Sequence, residues 1–379
     1  MNLDRQNYIS DVKRVVIKVG SNVLTVADGL NLYVVRAISR QIWRLIDREL
    51  EVILVTSGAL AAGLKKIGLA SRPDDTPGRQ AVAAVGQAGL IMEYEHAFDR
   101  FGIKVAQVLL TSDDLSDRKR YLNTRNTIYT LLGWNILPIV NENDTVKVES
   151  IQFGDNDNLA AMITLLMDAD LYVNLTDIDG LFTKDPRRHT DAELIPEVRT
   201  IGDEVEKIAG RIPGALGTGG MQAKIKAARK VTAVGTPMVI ANGGRDDTLV
   251  QLMNGDPLGT FFFPHKKRLA RRKCWIGYSV RPEGILRIDI GAAAAIVTGG
   301  KSLLPSGITE VEGEFGIGAP VECRSSEDTT LGVGLVNYCA GDIRRIMGLH
   351  SRKIAVTLGN QPYDEVIHRD NLTITVGDL

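Results

Sequence analysis

The chain has 379 residues, which is long enough for two domains and a sizeable apolar core. Its content of 44% hydrophobic and 24% charged residues is typical of a globular protein. The net charge of −1 excludes an overall electrostatic preference for nucleic acid or for anionic membrane surfaces.

The cysteines form an odd and unclustered set, Cys274, Cys323 and Cys339. This usage is more typical of reduced thiols in a cytosol than of a disulfide framework. The five histidines are scattered and lack the spacing of zinc ligands. The first residues, MNLDRQNYISDVKR, lack the apolar core of a signal peptide, and no apolar run is long enough to cross a bilayer. We therefore expect a cytoplasmic protein with no membrane partner.

Short apolar runs alternate with helical segments along the first two thirds of the chain. The runs that predict strands are residues 15–19, 52–55, 104–110, 136–140, 171–175 and 238–241. The main helices predicted between them are residues 33–49, 59–70, 80–101 and 159–170. This alternation predicts an α/β fold in which a mainly parallel sheet is covered by helices on both faces.

Each predicted strand ends in small or acidic polar residues. These clusters are residues 20–21, 56–58, 111–114, 141–144, 176–177 and 242–244. Because ligands of open α/β sheets bind beyond the carboxyl ends of the strands, we expect the clusters to converge on one crevice. Any single cluster is also consistent with a polar loop or a helix cap. Lys18 lies inside the first strand and is costly to bury unless it emerges at the strand end.

A glycine-rich turn at residues 217–220 runs into a segment with helical spacing. Its apolar positions on one face are Met221, Ile225, Ala228 and Val231. The glycines let backbone N–H groups approach a ligand, and the start of the helix favours an anion. Lys224 opposes the helix dipole, which makes sense if a phosphate lies over the helix start. The same residues also fit a flexible surface turn with a solvated lysine, and they match neither the P-loop nor the dinucleotide-binding fingerprint.

The densest polar stretch is FGDNDN, at residues 153–158. Either Asp157 or Asn158 suffices to cap the helix that follows. The remaining polar side chains favour a functional role. In that interpretation Asp155 and Asp157 face two lysines across the crevice, and Asn156 donates a hydrogen bond to a substrate carboxylate.

The pattern changes after residue 262. We interpret residues 263–279 as a linker, because HKKRLARRK at residues 265–273 carries six lysines and arginines and no acid. From residue 280 onward, short runs between glycines predict a small β-rich domain with strands at ILRID, AAAIVTG, GITEVEG, PVECR and LGVGLVNY. This tail has 9 basic and 13 acidic residues, which disfavours binding to a phosphate backbone, although the linker offers a local basic patch.

A series of motifs extends over the chain in a fixed order. In the first part they are VVIKVGSNVL, VTSGALAAG, AAVGQ, RYLNTRNT, PIVNENDTV, FGDNDNLAA, LTDIDGLFTKDP and GTGGMQAKIKAARK. In the tail they are GAAAAIVTGGKSLLPSGI, VEGEFGIGAPVEC, GLVNYCAGDIRRIMG and IHRDN. The first set resembles the glutamate 5-kinases of the amino acid kinase family, and the second resembles a PUA domain. The resemblance implies a kinase domain at residues 1–262 and a PUA domain at residues 280–379.

The resemblance also implies an activity, in which ATP phosphorylates the side-chain carboxylate of L-glutamate to L-glutamyl 5-phosphate with the help of Mg²⁺. This reaction is the first step of proline biosynthesis. By family match, Lys18 and Lys224 flank the transferred phosphoryl group and Asp157 positions both lysines. The family match places glutamate at Ser57, Asp144 and Asn156.

The implied nucleotide site comprises Lys18, Thr176, Asp177, Thr218, Gly219, Gly220, Met221, Gln222, Ala223 and Lys224. Ala223 departs from the family, which more often has a hydroxyl residue before the lysine. We expect backbone N–H groups to serve in place of that hydroxyl. No side-chain metal ligand is implied, since Mg²⁺ is expected to be held mainly by ATP oxygens and water.

The physical chemistry of the reaction agrees with this residue set. The acceptor carboxylate is already ionised at neutral pH, so no general base is required. Phosphoryl transfer then depends on positioning and on cancellation of charge at the phosphoryl oxygens. We expect Lys18 to stabilise the acceptor and bridging oxygens, Lys224 to follow the leaving β-phosphate, and Asp144 to accept the α-ammonium group.

An alternative from a different class is an RNA-binding protein that acts through the PUA-like tail and the basic linker. We rank it below the kinase, because a complete catalytic set would then have no purpose. In a milder variant, the tail tunes assembly or regulation of the enzyme. The resemblance further implies feedback inhibition by proline near Asp144 and Asn156, and a homo-oligomer (dimer or tetramer).

Overall fold

The computed structural model describes residues 3–26, 29–146, 155–210, 220–265, 271–278, 280–359 and 363–375. The chain divides into two compact units, Met1–Arg268 and Leu269–Leu379. The finer division into a kinase domain, a linker and a PUA domain stays a prediction. Across the described ranges, no helix combines the length and the apolar character that crossing a membrane requires.

The described residues of the first unit form ten strands. They are β1 (Arg14–Val19), β2 (Thr25–Val26), β3 (Gly29–Leu30), β4 (Glu51–Val55), β5 (Lys104–Leu110), β6 (Ile136–Glu142), β7 (Leu171–Thr176), β8 (Glu197–Val198), β9 (Met238–Asn242) and β10 (Thr260–Phe262). Eight of them form one sheet in the order β5-β6-β4-β1-β7-β9-β10-β8, while β2 and β3 form a separate pair.

The six strands predicted from apolar runs are confirmed, and each is parallel to its neighbours among the six. Strand β10 extends the sheet antiparallel to β9, where the sequence indicated only the end of the α/β pattern. Parallel strands align their carboxyl ends at one edge, so the polar residues after β1, β4, β6 and β7 lie along that edge.

The helices of the first unit lie between these strands. They are α1 (Leu3–Ser10), α2 (Ser21–Leu24), α3 (Leu32–Ile46), α4 (Ala59–Ile67), α5 (Thr76–Asp99), α6 (Ser112–Ser116), α7 (Arg118–Gly133), α8 (Asp155–Leu166), α9 (Asp203–Gly210), α10 (Gly220–Ala233) and α11 (Thr248–Met253). Side chains cap several of them; for example, Asn31 accepts the N–H of Val34 at 3.3 Å and so begins α3.

The two faces of the sheet have different roles. Val15, Ile17 and Val19 of β1 point into an apolar core together with residues of α3 and α5. Lys18 alternates with them and therefore points to the opposite face, where α8 packs on the sheet and α10 packs on α8. The first face is apolar, whereas on the second face buried apolar residues such as Val16 and Ile53 accompany the polar groups described below.

A close crossing of α4 and α5 holds the polar turn that follows β4. A Cβ atom at Gly63 would lie 1.9 Å from the carbonyl oxygen of Val82, and one at Gly86 would lie 1.8 Å from that of Ala59. Only glycine permits this approach. The crossing fixes the start of α4, directly after Ser57 and Gly58.

The second unit is built on a five-stranded sheet. Its elements are α12 (Arg271–Tyr278), β11 (Gly284–Ile288), α13 (Ile290–Val297), β12 (Ile308–Glu312), β13 (Pro320–Arg324), β14 (Thr330–Leu335), α14 (Ala340–Ile346), α15 (Ile354–Leu358) and β15 (Leu372–Ile374). The strand order is β12-β11-β13-β14-β15, with β11 and β13 parallel and the other pairs antiparallel.

Four of the five strands predicted in the tail are confirmed, and the fifth is wrong. The run AAAIVTG belongs to helix α13 and its C-terminal end. Asp289 caps this helix by accepting the N–H of Ala292 at 2.7 Å, and alanine has the highest helix propensity of all residues. The basic segment behind the RNA-binding alternative lies largely at residues 266–270, outside the described ranges.

Candidate active site

A buried carboxylate lies between two lysines at the carboxyl end of the sheet. Nζ of Lys18 is 2.6 Å from Oδ1 of Asp157, and Nζ of Lys224 is 3.0 Å from Oδ2 of the same carboxylate. The three residues come from β1, α8 and α10. The structure therefore brings together the three side chains that the sequence predicted to act as a group.

Burial and mutual attraction shape the protonation of this group. The side chains of Lys18, Asp157 and Lys224 are 5%, 1% and 12% exposed. Burial lowers the pKa of Lys18 to about 8, although the charge of Asp157 opposes the shift. Burial also acts to raise the pKa of Asp157, but the charges of Lys18 and Lys224 outweigh it and hold the pKa at about 2. At neutral pH the group carries a net positive charge, which favours an anion.

Sequence reasoning missed a fourth buried member of this group, Asn174. Its Nδ2 donates to Oδ1 of Asp157 at 2.8 Å and lies 2.9 Å from the hydroxyl of Tyr172. Tyr172 and Asn174 both belong to β7, whose sequence reads as a plain apolar run. The signal that could have found Asn174 is its polarity, since a buried amide in a central strand requires partners.

A second polar cluster lies beside the first, where β4 and β6 end. Nδ2 of Asn156 is 3.0 Å from the backbone oxygen of Thr56, 3.0 Å from Oγ of Ser57 and 3.1 Å from Oδ1 of Asn141. Asn141 in turn donates to Oε1 of Gln87 at 2.8 Å. The sequence predicted Ser57 and Asn156 as neighbours in the site, whereas it did not single out Asn141.

The remaining residues of these two polar stretches are less enclosed. Asp144 follows β6 and is partly exposed, and it takes part in polar interactions. Asp155 begins α8, and its side chain lies outside the described part of the structure. Asn158 accepts a hydrogen bond from Nζ of Lys230 at 2.7 Å, which links α8 to α10.

The polar end of β7 carries Thr176 and Asp177. Oγ1 of Thr176 donates to Oδ1 of Asp177 at 3.1 Å. Oδ2 of Asp177 lies 2.5 Å from Nη2 of Arg187 and 3.3 Å from Nδ2 of Asn22. Arg187 was not predicted, because it lies in a loop whose path the sequence does not indicate.

The start of α10 presents the residues of the predicted glycine-lysine turn. Gly220 begins the helix, Met221 is buried, Gln222 is exposed and Ala223 is partly buried. Lys224 lies about one turn into the helix, as expected from the sequence. Two further predicted positions, Thr218 and Gly219, lie outside the described residues.

No group of three or more His, Cys, Asp or Glu side chains that could hold a metal ion occurs in the part of the chain that the structure describes. The charged groups of the site instead form the lysine–carboxylate arrangement described above. This donor set suits a phosphate-bearing ligand better than a protein-bound cation.

Comparisons with known proteins identify the fold and the family of the chain. The model of the amino acid kinase family matches residues 13–242, and that of the PUA domain matches residues 284–358. A solved structure of similar fold is the carbamate kinase from Giardia lamblia bound to AMP-PNP, with a TM-score of 0.51 and 18% identity over 68% of this chain and 100% of that chain. At this identity the likeness shows the fold alone.

Curated relatives match over nearly the full length. The glutamate 5-kinase of Syntrophus aciditrophicus (strain SB) is 47% identical over 374 residues, covering 99% of this chain and 97% of the relative. The glutamate 5-kinase of Geobacter sulfurreducens is 47% identical over 371 residues, which cover 98% of this chain and 100% of the relative. The resemblance stated from the motifs is thereby confirmed. The chain belongs to the amino acid kinase family and, within it, to the glutamate 5-kinases.

Proposed function

We propose that this chain transfers the γ-phosphoryl group of ATP to the side-chain carboxylate of L-glutamate. The products are ADP and L-glutamyl 5-phosphate. Formation of the acyl phosphate is the first step of proline biosynthesis. The observation that carries the proposal is the pair of lysines on one buried carboxylate at the carboxyl edge of the sheet, in a chain of the glutamate 5-kinase family.

Lys18 and Lys224 are the residues to which we assign charge stabilisation. Lys18 stabilises the acceptor and bridging oxygens, and Lys224 stabilises the charge that grows on the departing β-phosphate. Asp157 holds both amines in place before the substrates bind, so little reorganisation is needed during the reaction. Such preorganised charges are commonly the largest contribution to catalysis of this kind.

The acceptor carboxylate needs no base, because it is ionised at neutral pH. Lys18 must be protonated to act, and its pKa of about 8 leaves most of it charged at neutral pH. Phosphate oxygens that approach the amine favour the charged form further. The chemistry therefore requires no proton transfer from the acceptor to the protein.

Asn156, Ser57 and Asp144 are the residues to which we assign glutamate. Both hydrogens of the Asn156 amide face protein acceptors, while its Oδ1 is buried and has no hydrogen-bond partner among the described residues. The amide therefore has no hydrogen left for a substrate carboxylate, contrary to the expectation from the sequence, and its enclosed oxygen does not reach the substrate. We assign the α-ammonium group to Asp144, and we assign to Asn156 the placement of Ser57. Ser57 accepts from Asn156 and keeps its own hydroxyl hydrogen for a substrate carboxylate.

ATP is assigned to Thr176 and Asp177 on one side and to Gly220–Lys224 on the other. The start of α10 offers backbone N–H groups to phosphate oxygens, which compensates for the missing hydroxyl at Ala223. Thr218 and Gly219 complete the loop on the strength of the family resemblance. Kinases of this family use ATP and typically a divalent metal; we propose Mg²⁺ held mainly by ATP oxygens and water, where it neutralises phosphate charge.

We further propose that proline inhibits the enzyme by occupying the glutamate pocket near Asp144 and Asn156. The family supports a homo-oligomer, a dimer or a tetramer, that works in the cytoplasm. These proposals rest on the resemblance, and size-exclusion chromatography with light scattering would test the oligomeric state.

The test of the main proposal traps the acyl phosphate. Purified protein with ATP, Mg²⁺, L-glutamate and hydroxylamine should yield the glutamyl hydroxamate, with ADP released in equal amount. Parallel reactions contain L-aspartate or N-acetylglutamate in place of glutamate. Product from either of these, with none from glutamate, would reject the substrate assignment.

A further inference from the structure

Strand β7 carries a completely buried amide, Asn174, between apolar neighbours in the run LYVNLT. Leu171, Val173 and Leu175 point into the main apolar core. Asn174 alternates with them and points to the opposite face, where it is the register partner of Lys18 on β1. A polar side chain thus stands beside the predicted catalytic lysine in the middle of the sheet.

The amide of Asn174 is held by two polar groups. Its Nδ2 lies 2.8 Å from Oδ1 of Asp157 and 2.9 Å from the hydroxyl of Tyr172, so both hydrogens are engaged. The hydroxyl of Tyr172 is in turn 3.4 Å from the backbone oxygen of Asp157. Tyr172 and Asn174 therefore contact both the backbone and the carboxylate of one residue on α8.

These contacts distinguish the two oxygens of Asp157. Oδ1 receives Asn174 and Lys18, whereas Oδ2 receives Lys224. The donor on β7 is rigid because the strand lies in the middle of the sheet, and it fixes the rotation of the carboxylate so that one oxygen faces each lysine. Asn174 is completely buried and cannot reach the substrates itself.

We propose that Asn174, supported by Tyr172, is a positioning residue that orients the Asp157 carboxylate and thereby sets the distance between the two catalytic lysines. The inference rests on the proposed function, since it takes Lys18 and Lys224 as the groups that stabilise the transferred phosphoryl. A purely structural amide would stabilise the fold and leave the kinetics unchanged.

The test compares N174L, which removes the donor at similar volume, with T164V as a matched control. Thr164 is buried on the same helix as Asp157, and its hydroxyl donates to the backbone oxygen of Ala160 in that helix at 2.8 Å. We expect N174L to lower kcat about tenfold to 100-fold, the effect of a misplacement of about 1 Å, with little change in KM for ATP or glutamate. T164V should keep kcat and both KM values near those of the wild type.

A second variant, N174D, keeps the shape of the side chain and reverses the polarity of the contact. Two carboxylates at this distance cannot both ionise easily, so one takes up a proton as the pH falls. The protonated carboxyl donates to Asp157 as the amide did. The charged groups that face the pair are Lys18 from β1, Lys224 from α10 and Asp177 at the end of β7, with Tyr172 neutral.

The dependence of kcat on pH in the two variants therefore distinguishes a positioning role of Asn174 from a role in packing alone. We expect kcat of N174D, relative to the wild type, to recover as the pH is lowered, whereas N174L stays low at every pH. Wild-type kinetics and pH profiles in both variants would overturn the inference. If N174L unfolds at the assay temperature, the absence of any recovery of kcat at low pH in N174D would overturn the inference. A wild type that forms no glutamyl product would instead contradict the proposed function.

Discussion

Nζ of Lys18 lies 2.6 Å from Oδ1 of Asp157, and both side chains are almost completely buried. Removing two charges from water is costly, and the cost is recovered only when their geometry and their further hydrogen bonds are good. Lys224 and Asn174 supply those further contacts on the carboxylate. The arrangement holds two amines in place for an anionic substrate.

Replacing Asp157 by asparagine leaves two lysines close together without their shared counter-charge. We expect D157N to lose about 3–5 kcal/mol of stability, as measured for broken buried ion pairs. We also expect kcat to fall about 100-fold to 1,000-fold, because both amines lose their fixed positions. Urea unfolding and ADP-release kinetics measure the two effects, and a stable, fully active D157N would contradict the role of the carboxylate.

Replacing Lys224 by alanine should lower kcat by a similar factor of about 100 to 1,000, since one preorganised charge is removed. Lys226 offers a matched control, because it lies in the same helix and is exposed. K226A should keep the wild-type kcat and KM. Equal kinetics in the two variants would remove Lys224 from the catalytic role.

The pH dependence should report the protonation of Lys18. Burial lowers its pKa to about 8, so the charged amine that the reaction needs is present below that pH and is lost above it. We expect kcat/KM for ATP, which reflects the free enzyme, to fall as the pH rises through about 8. In K18R this alkaline limb should disappear up to pH 10, because arginine stays charged, although the maximal rate will be lower. An unchanged limb in K18R would assign the titration to another group.

Ser57 should contribute to glutamate affinity rather than to the chemical step. In S57A the hydrogen bond to a substrate carboxylate is lost and Asn156 loses one acceptor. A hydrogen bond to a charged group contributes about 1.5–3 kcal/mol, so we expect KM for glutamate to rise roughly tenfold to 100-fold while KM for ATP stays the same. A selective rise in KM for ATP would place Ser57 on the nucleotide side.

Proline should compete with glutamate if both occupy the pocket near Asp144 and Asn156. Initial rates over a grid of proline and glutamate concentrations should then show a rising apparent KM for glutamate and a constant kcat. The S57A variant serves as a comparison for a pocket with weakened polar contacts. If proline lowered kcat and left KM for glutamate unchanged, it would bind at a separate site.

The sheet was predictable from the sequence, because apolar runs with polar ends are a strong signal of parallel strands. The polar residues alone indicated only that carboxylates face two lysines across a crevice, and the choice of Asp157 as the residue that positions Lys18 and Lys224 came from the family resemblance.

Asn174 was not predicted, since a single polar residue does not change the pattern of an apolar run. Its partner, Asp157, lies on another element. The contact of Arg187 with Asp177 was not predicted, because Arg187 belongs to an irregular loop. The helix α13 was mistaken for a strand, as a short run of alanine and isoleucine fits either period until its capping residue, Asp289, is considered.

Lys18 and Lys224 are expected to act as one unit on the phosphoryl group that is transferred to glutamate. Glutamate-dependent ADP release by the wild type, K18A, K224A and the double variant tests it most directly. We predict release that requires glutamate in the wild type, and single variants that are each nearly as slow as the double variant, because residues that act as a unit are strongly non-additive. ADP release without glutamate, or single effects that multiply in full, would contradict the claim.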